Sequence, residues 1–108
     1  MEDLSEKVLN LADMIDYQEG SVVSREIVRK KGGTVTLFAF GRGQGLSEHT
    51  TPFDALVHVI CGEANISISG EWRKVKAGEA LIMPANKPHA VEARHSEFKM
   101  LLVMIKSE

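Results

Sequence analysis

The sequence predicts an all-β domain, a sandwich or barrel of roughly seven to nine short strands. Three observations carry that expectation. Glycine-centred turn signals punctuate the chain from Gly32 to Gly78 at intervals of about 8–12 residues. The segments between them are rich in β-branched and aromatic residues, as in Thr34–Phe40. In one of them, Ala64, Ile66 and Ile68 alternate with Asn65, Ser67 and Ser69, a period of two.

The N-terminal residues are the exception. Leu4, Val8, Leu11 and Ile15 recur at helical spacing, and Asn10 is placed to cap a short turn over Leu11–Ile15. Residues 1–20 are therefore expected to form an arm with a turn or two of helix, and residues 21–108 the barrel. Ser21–Val28 opens the strand region, and Lys31-Gly32-Gly33 turns it into Thr34–Phe40. Gly41, Gly43 and Gly45 then make a loop that leads to His49. Ala55–Cys61 is an apolar strand turned by Gly62-Glu63, and Gly70-Glu71 turns the alternating segment into Trp72–Lys76. After Ala77-Gly78 come Glu79–Met83, the loop Pro84–Pro88 and the strand His89–Ala93. A polar turn at Arg94–Glu97 leads to the last strand, Phe98–Ile105.

Composition bounds the function. A chain of 108 residues suits a single core, and its 44% hydrophobic and 26% charged residues are globular values. The net charge of −2 argues against a nucleic-acid partner, because phosphate-backbone contacts call for a basic surplus. The run Arg29-Lys30-Lys31 reads as a solvated hairpin turn. No apolar run approaches the ~20 residues of a membrane span, so no membrane partner is expected. The acidic start lacks the features of a signal peptide, which makes the cytoplasm the expected compartment. The single cysteine, Cys61, excludes an intrachain disulfide and reads as a small packing residue. Thr34–Phe40, Ala55–Cys61 and Phe98–Ile105 are apolar on both parities. One face fills the barrel, and a second copy of the chain is the expected cover for the other, as a homodimer.

Glu48–His58 and Met83–His89 hold the chemistry-bearing residues. Gly43, five residues, His49 and a closing Gly62 resemble the first motif of the cupins, G-x5-H-x-H-x3-4-E-x6-G. Gly78, Pro84 and His89 stand at the spacings of the second cupin motif, G-x5-P-x-G-x2-H-x3-N, after fifteen intervening residues. The resemblance spans about Gly41 to Ala93 and implies a double-stranded β-helix, the jelly-roll barrel, with one open mouth where the two motifs converge. It implies a ligand pocket at His49, Thr51 and His89, a small-molecule ligand, and one divalent metal (Fe, Mn, Ni or Zn).

The sequence departs from the family at four positions. Thr51 stands at the second histidine of motif one and Ala55 at its glutamate; Asn86 replaces the second glycine of motif two and Ala93 its asparagine. Of the family's three histidines and one glutamate, His49 and His89 remain. A bulge near Pro52-Phe53 would turn Asp54 inward and give a metal set of His49, His89 and Asp54. The regular register, favoured by the spacing of Gly62, points Ala55 inward and Asp54 and His58 outward. Three function classes follow: a binding or sensing module, a metal-dependent dioxygenase or isomerase acting on a small oxygenated substrate, and a metal-free interaction module whose dimer surface is its function.

Overall fold

The computed structural model describes residues 3–106 of the chain. Nine strands form two sheets. They are β1 (Val22–Lys30), β2 (Gly33–Phe40), β3 (Gly45–His49), β4 (Phe53–Cys61), β5 (Glu63–Ile68), β6 (Glu71–Lys76), β7 (Ala80–Met83), β8 (His89–Glu92) and β9 (Phe98–Lys106). One sheet has the order β1-β2-β9-β4-β7 and the other β3-β8-β5-β6, all neighbours antiparallel. Neighbours in space are mostly distant in the chain, as expected when two sheets are wound together into a jelly roll.

Period-two patterning decides what fills the barrel. From β4, Ala55, Val57 and Val59 point inward and are buried, and from β9 Phe98 and Met100 do the same. Ala64, Ile66 and Val91 meet them from the opposite sheet. Phe40 and Phe98 stack with ring centroids 4.5 Å apart, so the aromatics are spent on packing the core. The hairpin between β5 and β6 turns at Ser69-Gly70, one residue earlier than the Gly70-Glu71 expected. Both residues have positive φ, 51° and 83°, the conformation that matches the twist of a two-residue hairpin.

The helical expectation for the arm is met by a single 3-10 turn at Leu11–Asp13. Asn10 precedes it, but its side chain makes no cap hydrogen bond. Val8 is fully exposed and Glu6 has φ 63°, so the Leu4-Val8-Leu11-Ile15 stripe is not one helical face. Docking on the sheet wins over helical spacing. Ile15 is buried on the outer face of β2 against Leu37 and Ala39, with Leu11, Met14 and Tyr17 beside it. The Lys99 ammonium donates to the Ala12 carbonyl at 2.6 Å and lies 5.0 Å from the Tyr17 ring, which ties the arm to β9. Cys61 is free and half-buried at the end of β4.

A second difference lies at Gly45–His49, expected as loop and found as strand β3. It is an edge strand paired with β8 on one side, and its side chains are mostly exposed. A strand of that kind carries no apolar alternation to mark it.

Candidate functional site

Strand β3 brings the first motif to the second. Leu46 stands opposite Val91 and His49 opposite His89, so three steps on β3 match two on β8. The extra residue is a β-bulge at Ser47-Glu48. Without it, Glu48 would stand opposite His89, and His49 would point to the other face. The bulge places the two imidazoles side by side, with ring centroids 4.4 Å apart and planes at 70°. It is not where the sequence reading placed a bulge, near Pro52-Phe53.

The two rings are held alike. His49 Nδ1 is 2.7 Å from the Ser47 carbonyl oxygen, and His89 Nδ1 is 3.2 Å from the Lys87 carbonyl oxygen. A carbonyl can only accept, so each Nδ1 carries the proton and each neutral ring keeps its lone pair on Nε2. His89 is buried and His49 exposed. Burial, and then the neighbouring His49, push the His89 pKa below the ordinary histidine value; the bond to Lys87 opposes them. His89 therefore favours the neutral form with its lone pair available.

The remaining motif positions are structural. Ala55 is buried in the core opposite Met83 and Met104, so β4 keeps the regular register from Phe53 to Val59, and its irregularity falls later, between Val59 and Cys61. Asp54 is exposed on the other face, and its carboxylate accepts from the Ala85 backbone N–H at 2.8 Å. Thr51 is part-buried; its hydroxyl bonds the Phe53 backbone, and its carbonyl accepts from the Asn86 N–H at 2.8 Å. Thr51 and Asp54 thus clamp the Pro84–Pro88 loop that delivers His89. Asn86, where the family has glycine, has φ 65°, a left-handed conformation that asparagine tolerates better than most residues. Gly62 has φ 77°, and an added Cβ would run into the Glu97 carbonyl and lie 2.9 Å from Phe98 Cβ; both facts require glycine. Ala93, at the asparagine position, is buried, and its backbone bonds Gly43 and Gln44. His58 lies half-buried on the outer face between Leu101 and Ala80.

The structure brings together His49 and His89. It does not bring Asp54 to them: among the described residues no group of three His, Cys, Asp or Glu side chains is arranged to hold a metal. The donor set fits a cupin metal poorly. Two imidazoles fall short of the three protein ligands typical of catalytic zinc and of the two histidines and a carboxylate of non-haem iron. Sequence reasoning assigned Asp54 to a ligand set or to a local bond after Pro52, and so missed its contact with Ala85. Neither residue's neighbours in the chain signal a bond that spans thirty-one positions.

Known proteins agree with this geometry. The family model of the cupin domain matches residues 36–106. The fold superposes with a TM-score of 0.89 on a conserved protein of unknown function from Streptococcus pyogenes, 36% identical, covering 95% of this chain and 90% of that one. It superposes equally, at 0.89, on a cupin 2 conserved barrel domain protein from Leptotrichia buccalis, 45% identical over 91% of this chain; the match spans about half of that protein, 47%. A curated protein from Chlorobium chlorochromatii, named pyrimidine/purine nucleoside phosphorylase, is 35% identical over 71 residues, 65% of this chain and 67% of that one. The family match over most of the chain, the double-stranded β-helix and the two spaced motifs lead to one conclusion: the chain belongs to the cupin family.

Proposed function

We propose that this cupin binds a small hydroxyl-bearing molecule at the barrel mouth, with the Nε2 atoms of His49 and His89 as the working groups and Thr51 holding the wall beside them. The observation that carries the reading is the pair itself: two imidazoles in edge contact at 4.4 Å, each with Nδ1 committed to a backbone carbonyl. Such a pair presents two adjacent acceptors with fixed direction. His89, favoured neutral by its burial, is suited to accept a proton from a ligand hydroxyl as a general base. A divalent cation would find two protein donors here and draw the rest of its shell from water or ligand, so the reading does not depend on one. Titration of metal-free protein with ribose-bearing and other polyhydroxylated molecules tests it. Saturable perturbation of the His49 and His89 side-chain nitrogens is expected; their silence across the panel would sink the reading.

A second reading is favoured by one observation, the 35% identity over 71 residues to the protein named pyrimidine/purine nucleoside phosphorylase. In phosphorolysis an orthophosphate oxygen bonds to C1′ of the nucleoside, the N-glycosidic bond breaks, and the departing base takes up a proton. A histidine pair at the mouth is chemically suited to relay that proton. Incubation with uridine or adenosine and orthophosphate, followed by assay of free base, tests this reading. Release that is lost in His89→Ala supports it, and no release from any nucleoside contradicts it.

We also propose a second copy of the chain as the cover of the outer sheet face. Val28, Val35, Val103, Leu56 and Ile82 are successive cross-strand partners, an aliphatic row running across all five strands. Val28 and Ile82, at its ends, are exposed, as is Ile105 on the adjoining row. The arm covers only the neighbouring Leu37-Ala39 region. Five strands at about 4.8 Å spacing make a face roughly 20–25 Å wide. Pairing two such faces would bury on the order of 1,000 Å2 in total, the size at which a specific interface becomes plausible. A row of like residues also matches itself across a two-fold axis.

A further inference from the structure

A cavity of about 450 Å3 opens on the inner face of the larger sheet, at the end where β1 turns into β2 and β9 finishes. That volume is in the range of small-molecule sites. No motif histidine lines it, so it goes beyond the site already described. Its wall combines two hydroxyls, Thr34 and Thr36, with two apolar side chains, Phe53 and Met104. Thr34 and Met104 are direct cross-strand partners, as are Phe53 and Lys106, so the wall is fixed by the sheet.

The rim is strongly basic. Arg29, Lys30, Lys31 and Lys106 line it against a single carboxylate, Glu26. This imbalance stands in a chain whose net charge is −2, so the cations are concentrated here. Two contacts set the rim's geometry. Arg29 makes a two-pronged bond to Glu26, both arms 2.8 Å, which neutralises that pair and stiffens the wall. The Lys106 backbone N–H donates to the Gly32 carbonyl at 2.8 Å, which holds the end of β9 beside the hairpin turn. Lys30 also faces Asp3, so its charge is shared. Lys31 and Lys106 remain as the cations of the rim with no carboxylate partner among the described contacts.

We propose that this cavity binds an organic anion, with its acidic group at Lys31 and Lys106, its polar atoms on the Thr34 and Thr36 hydroxyls, and its apolar body against Phe53 and Met104. Phosphate-bearing and carboxylate-bearing molecules share that chemistry. Cations around a concave wall focus the field and attract a negative ligand, and the effect weakens with salt.

The test is titration of the full chain with phenyl phosphate, and separately with benzoate, phenol and inorganic phosphate, followed by backbone amide shifts. Saturable shifts at Thr34, Thr36, Phe53 and Lys106 are expected with phenyl phosphate or benzoate, and their relative affinity separates the two acidic groups. Phenol and inorganic phosphate, each lacking half of the chemistry, should bind more weakly. Lys31→Glu combined with Lys106→Glu alters exposed side chains, so the fold should persist, and affinity should fall roughly tenfold. Equal binding of phenol, shifts confined to the His49 and His89 amides, no saturable shift, or an unchanged affinity in the charge-reversed variant would each overturn the proposal.

Discussion

The Asp54 carboxylate accepts a hydrogen bond from the Ala85 N–H at 2.8 Å, and so holds the loop that presents His89. A residue one position from the family's glutamate thus works on the backbone. Asp54→Ala should cost about 1 kcal/mol of stability, the usual net value of such a bond. Asp54→Asn, which keeps an acceptor, should recover most of it. Urea unfolding of the three proteins checks this, and equal losses for Ala and Asn would show that charge matters more than acceptance.

The His89 environment predicts a pH dependence with a definite sign. Its folded pKa lies below the ordinary value, first through burial and then through His49. The native state therefore binds fewer protons than the unfolded chain as pH falls below about 6.5. The stability present above that pH is lost progressively down to the folded pKa. In His49→Ala the like-charge cause is gone, so the His89 midpoint should rise toward the ordinary value. Proton NMR of the His89 ring reads both midpoints, and a midpoint that falls in the variant would refute the assignment.

Gly62 combines a left-handed φ of 77° with contact against the Glu97 carbonyl and Phe98. Gly62→Ala should therefore destabilise by roughly 2–3 kcal/mol, more than a glycine substitution at an open turn. Gly70→Ala, where nothing lies within 4 Å of the added Cβ, provides the comparison. Thermal unfolding of both variants decides it, with Gly62→Ala expected to melt lower.

The aliphatic row across the larger sheet predicts self-association. Sedimentation at micromolar concentration should give a dimer. Ile82→Lys, at an exposed position on the edge strand, should give a folded monomer. A monomeric wild-type chain would contradict the second copy as its cover.

The sequence made some of this structure legible and hid the rest for physical reasons. Ala64, Ile66 and Ile68 announce β5 because one face of that strand is buried in the core. The spacing of Gly43, His49, Gly78 and His89 announces the meeting of the two histidines. The bulge that completes the meeting is hidden, because a one-residue register shift at Ser47-Glu48 leaves no mark on composition. The helical spacing of Leu4 to Ile15 misled, since those residues answer to the sheet beneath them, where Ile15 is buried and Val8 is not. The five aliphatics of the outer row lie at positions 28, 35, 56, 82 and 103, and only strand order aligns them. Lys106 joins the Lys31 hairpin for the same reason.

The tautomeric state of the histidine pair tests the central claim most directly. Long-range proton–nitrogen correlation spectra of metal-free protein at about pH 7.5, where histidine is ordinarily neutral, separate protonated from lone-pair nitrogens in each ring. The account predicts Nδ1–H for His49 and His89, with both Nε2 atoms unprotonated and both shifting when a hydroxylated ligand binds. A proton on Nε2 of either ring would contradict it.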